Sequence, residues 1–391
     1  MNVDIEFFSE NPMDNVLACL KFAFSKVIFL GYTTEAMDKA AKSTVAAFLS
    51  SPAIGVKDIQ FISLPEGKLE EVERCLEGIV ETERTAGNQC FFDLTGGEEL
   101  ILAAAGAVAD RAKVPMHEID LAENDVRILT GEEAYEQLGC RDYRLDIEEY
   151  VNLHEGVIEW NRQKNRNRGY KNNAHRKRVE EFEAVIEKIG IGAWNKISLG
   201  LANYCSQKLG VIGGDAEDLK TAASVAAMSV ENFKKRLLQL KEEGLLKSCS
   251  CTESGARLEF FSEEERNLLC DPGAVLEHLT YFRIMRDPEV NDCAVGYHLN
   301  WVGEGDPDSI YEPGPNVLNE IDVIYMKHNI PTFVSCKNMF VDDNKPLYEL
   351  ETVADRFGGK LVHKVLVAKK GAKRSVYQRA DEMHIRVVKE L

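Results

Sequence analysis

An aspartate and a lysine lie on two neighbouring extended runs near the carboxyl end of the chain. The segment NEIDVIYMKHNIPTFVSCKN carries Asp322 on its first apolar run and a Ser-Cys-Lys triplet at the end of its second. Side chains alternate across a strand, so Ser335 and Lys337 share one face. If the hairpin closes near residues 328–329, Asp322 points to that same face.

A carboxylate and an ammonium group over one sheet face suit the metal-dependent cleavage of phosphodiesters. The Asp322 oxygens would hold Mg²⁺ or Mn²⁺, which polarises the phosphate and acidifies a water. Lys337 would orient that water or offset charge in the transition state. The structural alternative is a surface aspartate and a lysine that extends to solvent from a strand end.

A second set of candidates lies at three predicted strand-to-helix turns near the amino end. Helix N-termini present unpaired N–H groups and a positive dipole end, so such turns bind anions. The turn in FFDLTGGEEL also has glycines, which let a phosphate or ribose approach the backbone, although they could equally serve helix-on-sheet packing. Neither GxGxxG nor GxxxxGK[ST] occurs, so we expect a ligand other than NAD or ATP. The candidate ligand-binding residues are Ser9, Glu10, Thr33, Thr34, Thr95, Gly96 and Gly97.

The first 130 or so residues contain the elements that would position these turns. Short apolar runs such as KVIFLGY and QCFFDL alternate with helical patterns such as KLEEVERCLEGIVE. That rhythm predicts a doubly wound parallel sheet of the Rossmann type. Ligands bind such sheets beyond the carboxyl ends of the strands, where the three turns would lie.

The middle of the chain changes character twice. A basic stretch, NRQKNRNRGYKNNAHRKR, predicts either a solvated connector or a contact with a phosphate backbone, with Tyr170 available for stacking. From about residue 191, two helical patterns and two short strands resemble a winged helix-turn-helix whose second helix starts at Ser229. Because VENFKKRLLQLKEE mixes basic and acidic residues, packing or a dimer contact is favoured over DNA reading.

Length and composition limit the number of domains and the class of protein. The 391 residues imply two or three domains, with 45% hydrophobic and 29% charged residues as in ordinary globular proteins. No apolar run suggests a membrane span, and the acidic opening MNVDIEFFSENP reads as a strand, so we expect a cytoplasmic protein. The ten cysteines lack zinc spacing and are expected to be reduced. A net charge of −18 means that a nucleic acid would need a local basic patch or a bound metal.

The C-terminal layout resembles the PD-(D/E)xK nuclease superfamily, in which a hairpin bears Asp and Glu-x-Lys between two helices. Here Ser335 stands in the Glu position; some restriction endonucleases of that superfamily also have Ser-x-Lys and place the carboxylate on the next helix. In PLYELETVADRFGG, Glu351 lies nearer the apolar stripe than Glu349 does, so Glu351 is the predicted substitute. The resemblance implies catalytic roles for Asp322, Lys337 and Glu351, with Glu277 as a further catalytic candidate. The implied metal ligands are Asp322, Glu351 and the Cys336 carbonyl.

The whole chain resembles the CRISPR-associated Rossmann-fold (CARF) ancillary nucleases of type III systems. The motifs that carry this resemblance are FFSENPMDNVL, GYTTEAM, FFDLTGGEEL, VLEHLTYF, NEIDVIYM and VSCKN. The resemblance implies a homodimer that binds a cyclic oligoadenylate, most often the four-adenosine ring, and then cuts DNA, RNA or both with Mn²⁺ or Mg²⁺. The expected parts are a CARF sensor (1–135), a basic connector (136–190), a winged helix (191–265) and a PD-(D/E)xK-like domain (266–391).

Two departures from the family pattern leave other functions open. Glu98 and Glu99 follow the glycine turn where many such sensors carry a basic or hydroxyl residue, and the nuclease triplet lacks its glutamate. One alternative is a ligand-controlled winged-helix regulator with a degenerate nuclease domain. The other is a constitutive nuclease whose empty sensor serves only dimerisation.

Overall fold

The computed structural model describes residues 1–32, 39–120, 125–158, 172–205, 212–300, 318–358 and 361–391. Thr33, Thr34, Tyr170 and most of the basic stretch therefore lie outside the described residues. None of the helices in the described ranges combines the length and the apolar character that a bilayer span requires.

The described chain forms two six-stranded sheets, one three-stranded sheet and the helices around them. The strands are β1 (Asn2–Phe7), β2 (Lys26–Gly31), β3 (Asp58–Ser63), β4 (Gln89–Asp93), β5 (Met116–Asp120), β6 (Asp125–Thr130), β7 (Val157–Ile158), β8 (Ile212–Asp215), β9 (Ser248–Thr252), β10 (Gly255–Glu259), β11 (Val290–Asn300), β12 (Leu318–Lys327), β13 (Ile330–Lys337), β14 (His363–Ala368) and β15 (Ile385–Val388). The helices are α1 (Leu17–Lys21), α2 (Lys39–Leu49), α3 (Leu69–Thr85), α4 (Glu99–Ala112), α5 (Glu132–Leu138), α6 (Ile147–Leu153), α7 (Asn173–Ile189), α8 (Ile191–Cys205), α9 (Ala216–Val225), α10 (Val230–Glu242), α11 (Glu263–Cys270), α12 (Ala274–Ile284), α13 (Lys345–Gly358) and α14 (Arg374–Glu382).

The amino-terminal sheet, here called the sensor sheet, has the strand order β3-β2-β1-β4-β5-β6. Strands β1 to β5 are parallel, which confirms the predicted α/β fold with parallel strands. Strand β6 is an antiparallel edge strand that the sequence pattern did not indicate, because most of its side chains are exposed. The chain reverses direction along the sheet between β1 and β4. In sheets of this type ligands bind at that point, beyond the carboxyl ends of the strands.

Local sequence explains the helices on this sheet. Helix α3 buries Val72, Leu76 and Val80 at intervals of four residues and starts with acids that complement its dipole. The helix predicted after β1 is shorter than expected and covers only Leu17–Lys21. The residues before it form a turn through side-chain hydrogen bonds. Asn15 Oδ1 accepts from the Ser9 N–H, and Asn15 Nδ2 donates to the Ser9 carbonyl.

The carboxyl-terminal sheet, here called the hairpin sheet, has the order β15-β14-β13-β12-β11-β7. Strands β12 and β13 are antiparallel neighbours, and His328 and Asn329 between them both have positive φ (54° and 62°). This is a two-residue turn of the kind that closes tight hairpins, at the predicted place. Helix α13 packs on β13 and β14 over one face, whereas α12 packs over the other.

Residues 136–158 join the two larger sheets. Strand β7 pairs with β11 at the edge of the hairpin sheet, and α6 contacts both α2 and β12. One continuous hydrophobic cluster includes Phe29 of the sensor sheet, Tyr150 of α6 and Phe333 of the hairpin sheet. Much of the predicted connector is therefore built into the cores on either side of it.

The middle of the chain forms helices α7 to α11 around a small antiparallel sheet ordered β8-β10-β9. Its helices begin at strong caps: the Asp215 side chain makes a capping box with Asp218, and the Ser229 hydroxyl accepts from the Asn232 N–H. The predicted start of the second helix at Ser229 is confirmed. The core of this unit contains Trp194, Phe233 and Leu258.

Candidate functional site

The hairpin brings three of the predicted groups together. Asp322 Oδ2 accepts from the Ser335 hydroxyl at 3.2 Å and from the Cys336 N–H at 2.6 Å, and Lys337 Nζ lies 3.6 Å away. Asp322 and Lys337 retain 19% and 30% side-chain exposure. The carboxylate and the ammonium group therefore share one solvent-reachable face, as the alternation of side chains predicts.

Cys336 contributes its backbone to this group and keeps its thiol apart. The sulfur is buried on the opposite side of the strand, where it lies 3.7 Å from Thr280 Oγ1. Burial raises the pKa of the Cys336 thiol well above its usual range, with further contributions from the charges of Asp322 and Glu277. Since the N–H and C=O of a strand residue point to the same side, the Cys336 carbonyl also points towards β12.

The glutamates considered as substitutes for the missing carboxylate are not equivalent. Glu351 lies on α13, over the same face as Asp322, and its carboxylate pairs with Lys364. Glu349 is exposed and lies 3.5 Å from Lys345. Glu277 lies on α12, which covers the opposite face. Among the described residues, Asp322 is not part of any cluster of three His, Cys, Asp or Glu ligands.

The turn after β1 is organised by its own side chains. Ser9 Oγ donates to Asp14 Oδ2 at 2.9 Å, and the Ser9 N–H donates to Asn15 Oδ1 at 2.7 Å. Asn11 Nδ2 donates to the other Asp14 oxygen at 2.9 Å. Glu10 is exposed at the tip of the turn. The turn is thus held in one conformation, with an acidic side chain directed to solvent.

The glycine turn after β4 meets this first turn at the reversal point of the sensor sheet. A Cβ on Gly96 would lie 3.6 Å from Asp14 Oδ2, and one on Gly97 would lie 3.2 Å from Phe7 and from Leu102. Gly97 has a φ of +140°, which side chains rarely permit. Glycine is therefore required here by both space and backbone conformation.

Thr95 anchors that turn to the strands. Its N–H donates to Asp93 Oδ1 at 2.6 Å, and its hydroxyl accepts from the Ile119 N–H at 3.0 Å. Beside it, burial and the carboxylate of Glu98 raise the pKa of Tyr32. The structure brings Ser9, Thr95 and the two glycines together at the carboxyl ends of β1 and β4, whereas Thr33 and Thr34 lie outside the described residues.

A third cluster was not found from the sequence. Asp4, Glu6, Asp93 and His117 are all buried within the sensor sheet, directly below the glycine turn. Burial raises the pKa of the Asp4 carboxyl to about 8, with His117 opposing that shift and Asp93 adding to it. The available signal was the pair of acids in the run VDIEFF, where a strand with a buried face would carry apolar residues.

The described part of the basic stretch is mostly paired. Arg176 lies 3.0 Å from Glu180, and Arg178 lies 2.7 Å from Glu265 and also donates to Glu181. Arg176 is paired within α7, and Arg178 also joins α7 to α11 through Glu265. The exposed Lys177 has no such role assigned, and the other predicted cations lie outside the described residues.

The fold defined by these elements is a Rossmann-type parallel sheet joined through helical elements to a second mixed sheet. Protein VC1899 from Vibrio cholerae shares it, with a TM-score of 0.70 and 18% identity, over 99% of this chain and 93% of that one. Can2 from Sulfobacillus thermosulfidooxidans, solved in complex with cyclic tetra-adenylate, also shares it, with a TM-score of 0.65 and 15% identity, over 100% and 96% of the two chains. No family model and no curated protein matches the sequence. At these identities the likeness establishes the architecture.

Proposed function

We propose that this protein is a cyclic oligoadenylate-activated, metal-dependent nuclease of type III CRISPR antiviral defence. The observation that carries the proposal is the Asp322–Lys337 pair on one face of the hairpin. It belongs to a chain that shares its fold, end to end, with a protein solved in complex with cyclic tetra-adenylate.

The hairpin supplies the groups that phosphodiester hydrolysis needs. The Asp322 carboxylate and the Cys336 carbonyl are hard oxygen donors on the same side of β13, which fits Mg²⁺ or Mn²⁺. Bound there, the ion would polarise the phosphate and acidify a water. Lys337, 3.6 Å from the carboxylate, orients that water and offsets the charge that develops on the phosphate.

Glu351 is the proposed second carboxylate ligand. It lies on the helix that covers the same sheet face and is already half-buried, so it has little solvation left to lose. Its partner Lys364 lies on β14, one strand beyond Ser335 and two residues before Leu366, which pairs with Ser335. Ligation requires Glu351 to leave Lys364, and Glu277 is the alternative donor.

The crevice between β1 and β4 is the proposed activator site. Its glycines let a phosphate approach the backbone, and its position at the strand-order reversal is where such sheets bind ligands. Ser9, Glu10, Thr95, Gly96 and Gly97 would line it, with Thr33 and Thr34 from the neighbouring turn. Two subunits of a homodimer would contribute one crevice each to a symmetric cyclic ligand.

The small middle unit is proposed to be a winged helix, because α8, β8, α9, α10, β9 and β10 follow the order of that fold. Its second helix, α10, carries both basic and acidic residues, which suits a packing or dimer role. The substrate is proposed to be DNA, RNA or both, and it would meet the hairpin rather than this helix.

A cleavage assay with and without cyclic tetra-adenylate and Mn²⁺ tests the proposal. Asp322→Asn and Lys337→Met should each lower the rate at least about 100-fold, because each removes a charge that acts on the transition state. Asp381→Asn, an exposed change on α14, is the matched control and should cut normally. Circular dichroism and activator binding should be unchanged in all three variants.

Three results would contradict the proposal. Normal cutting by Asp322→Asn or Lys337→Met would remove the hairpin from the chemistry. Equal cutting by the wild type with and without activator would indicate a constitutive nuclease. Tight binding of duplex DNA without any cutting under these conditions would instead favour a regulator.

A further inference from the structure

We propose that Asp4, Asp93 and His117 form a binding site for a divalent transition-metal ion inside the sensor sheet, separate from the hairpin. The three residues lie on β1, β4 and β5, which are adjacent strands of the parallel sheet. One ligand atom from each lies within 4.8 Å of the other two. Oxygen and nitrogen ligands about 2.0 to 2.2 Å from a metal are separated from one another by roughly 3 to 4.4 Å. The His117 Nε2–Asp93 Oδ2 distance of 3.6 Å lies in that range, and the 4.8 Å limit for the whole cluster exceeds it slightly, so the side chains would close a little around an ion.

Strand register produces this cluster. Asp93 is the direct neighbour of His117 across β4 and β5, and Ile5 pairs with Phe92, which places Glu6 beside Asp93. The side chains of Glu6, Asp93 and His117 therefore form a row on one face of the sheet. Asp4 lies on the same face of β1, two residues before Glu6. His117 Nε2 and Asp93 Oδ2 are 3.6 Å apart, too far for a good hydrogen bond.

The atoms that face one another are the ones without partners. Both Asp4 oxygens, Asp93 Oδ2 and His117 Nε2 are buried and make no hydrogen bond. Such groups cost free energy unless something satisfies them. In the described ranges no lysine or arginine lies within ion-pair distance of Asp4 or Asp93, and the ion-pair partner of Asp93 there is His117, which is charged only when it is protonated.

The other polar atoms of Asp93 and His117 make hydrogen bonds of the kind that orient metal ligands. Asp93 Oδ1 accepts from the Thr95 N–H at 2.6 Å, which leaves Oδ2 directed at the cluster. His117 Nδ1 lies 2.9 Å from the Tyr135 hydroxyl. A proton on Nδ1 that donates to Tyr135 leaves the Nε2 lone pair directed at the cluster, as metal-binding histidines require.

Charge balance favours a dication. When both are deprotonated, Asp4 and Asp93 carry two negative charges in a setting walled by the rings of Phe22 and Phe24, 5.2 and 6.0 Å from the His117 ring. One divalent ion neutralises both, and Glu6, with a buried unpartnered oxygen, is available as a further ligand.

The donor set defines the class of metal. One imidazole nitrogen with two or three carboxylate oxygens suits Zn²⁺, Mn²⁺ or Fe²⁺, whereas Ca²⁺ prefers oxygen ligands alone. Because Asp93 also holds the Thr95 N–H, an ion here would fix the first residue of the glycine turn. The site does not depend on the proposed nuclease activity, since it uses none of the hairpin residues.

Metal analysis of the full chain tests the inference. The Asp322→Asn variant is used as the parent, so that the hairpin cannot supply the signal. The parent is stripped with a chelator, incubated with Zn²⁺, Mn²⁺ or Fe²⁺ singly, and analysed for bound metal and thermal stability. One equivalent of at least one of these ions should bind and raise the melting temperature by several degrees.

Variants then assign the ligands. Asp4→Asn and His117→Gln, each added to the parent, should lose the bound equivalent, and Tyr135→Phe should weaken affinity about tenfold. Asp110→Asn, an exposed change on α4, should behave as the parent does. With Co²⁺ as a probe, the visible absorption of a nitrogen-ligated ion should disappear in His117→Gln.

Failure is equally distinct. Absence of bound metal in the parent for all three ions would overturn the inference, as would equal binding by the parent, Asp4→Asn and His117→Gln. If His117→Gln does not fold, Asp4→Asn decides the matter, because it keeps the shape and removes a buried charge. Cleavage by the wild type is not a readout of this test.

Discussion

The two six-stranded sheets place carboxylates in opposite environments. Asp322 in the hairpin sheet is partly exposed, and one of its oxygens contacts a hydroxyl, an N–H and a lysine. Asp4 in the sensor sheet is fully buried and has no partner for either oxygen. The hairpin carboxylate is therefore paired with a cation of the chain, whereas burial without such a partner raises the pKa of the Asp4 carboxyl.

The difference follows from where each group lies along its strand. Asp322 and Lys337 face each other near the end of β13, where long side chains reach both each other and solvent. Asp4 lies in the middle of β1, and among the described residues no lysine or arginine lies within ion-pair distance of it. An added negative charge should therefore weaken activator binding at the glycine turn of the sensor sheet, whereas at the hairpin it should support metal binding. The Gly97, Glu351 and Ser335 predictions below test that contrast.

Gly97→Asp is expected to have the largest of these effects. A like charge about 5 Å from a phosphate costs roughly 3 kcal/mol at an effective dielectric near 20, so the affinity for cyclic tetra-adenylate should fall about 100-fold. Calorimetry measures this change. Gly97→Ala is the control, because it carries the same unfavourable φ and the same contacts with Phe7 and Leu102 without the charge.

If Gly97→Asp and Gly97→Ala bind the activator equally well, the added charge has no effect at this position and the predicted repulsion is wrong. Backbone conformation alone would then explain the glycine. Unchanged affinity in both variants would move the activator site away from the glycine turn altogether.

At the hairpin, the corresponding experiment removes a negative charge. Glu351→Gln should slow cleavage about tenfold and raise the Mn²⁺ concentration that gives half of the maximal rate, since it removes the proposed second carboxylate ligand. The exposed Glu349→Gln is the matched control and should change little. Rates measured over a full Mn²⁺ titration give both quantities.

Restoring the charge at the neighbouring position sharpens this test. Ser335→Glu in the Glu351→Gln background should recover most of the rate, because Ser335 already faces Asp322 at 3.2 Å. A wild-type rate for Glu351→Gln at every Mn²⁺ concentration would reject the relocated ligand. The candidates would then be Glu277 and Glu320, which lies on β12 two residues before Asp322.

The smallest expected effect concerns the join between the two sheets. His154, after α6, is buried, and burial lowers its pKa to about 4, partly opposed by its hydrogen bond to the Tyr150 carbonyl. The unfolded chain has a histidine pKa near 6.5, so its contribution is present above that pH and is lost as the pH falls towards 4. Between pH 7 and 5.5 it should lower the free energy of unfolding by about 1 kcal/mol.

Denaturant unfolding of the wild type and His154→Asn at both pH values measures this contribution. The variant should lack that part of the pH dependence, because asparagine stays neutral and can still donate to Tyr150. His363→Asn, at an exposed position on β14, should retain the wild-type dependence. Identical pH dependence in wild type and His154→Asn would show that His154 is not held neutral by the fold.

Much of the local structure was predictable from short stretches of sequence. Alternating side chains place Asp322 and Lys337 on one face, and the turn at residues 328–329 adopts the left-handed conformation that closes a tight hairpin. Ser229 begins its helix as its hydroxyl predicts. These features depend on neighbouring residues, so periodicity and capping chemistry suffice to predict them.

Other features depend on which distant strands and helices meet. Nothing in the local pattern indicates that Glu351 pairs with Lys364, or that β7 completes the edge of the hairpin sheet. The row of Glu6, Asp93 and His117 exists only because the strand order places β1 beside β4 and β4 beside β5. The sequence by itself determined which face of each strand a side chain occupies, whereas only the tertiary structure decided which faces adjoin, because strand order and register arise from long-range packing.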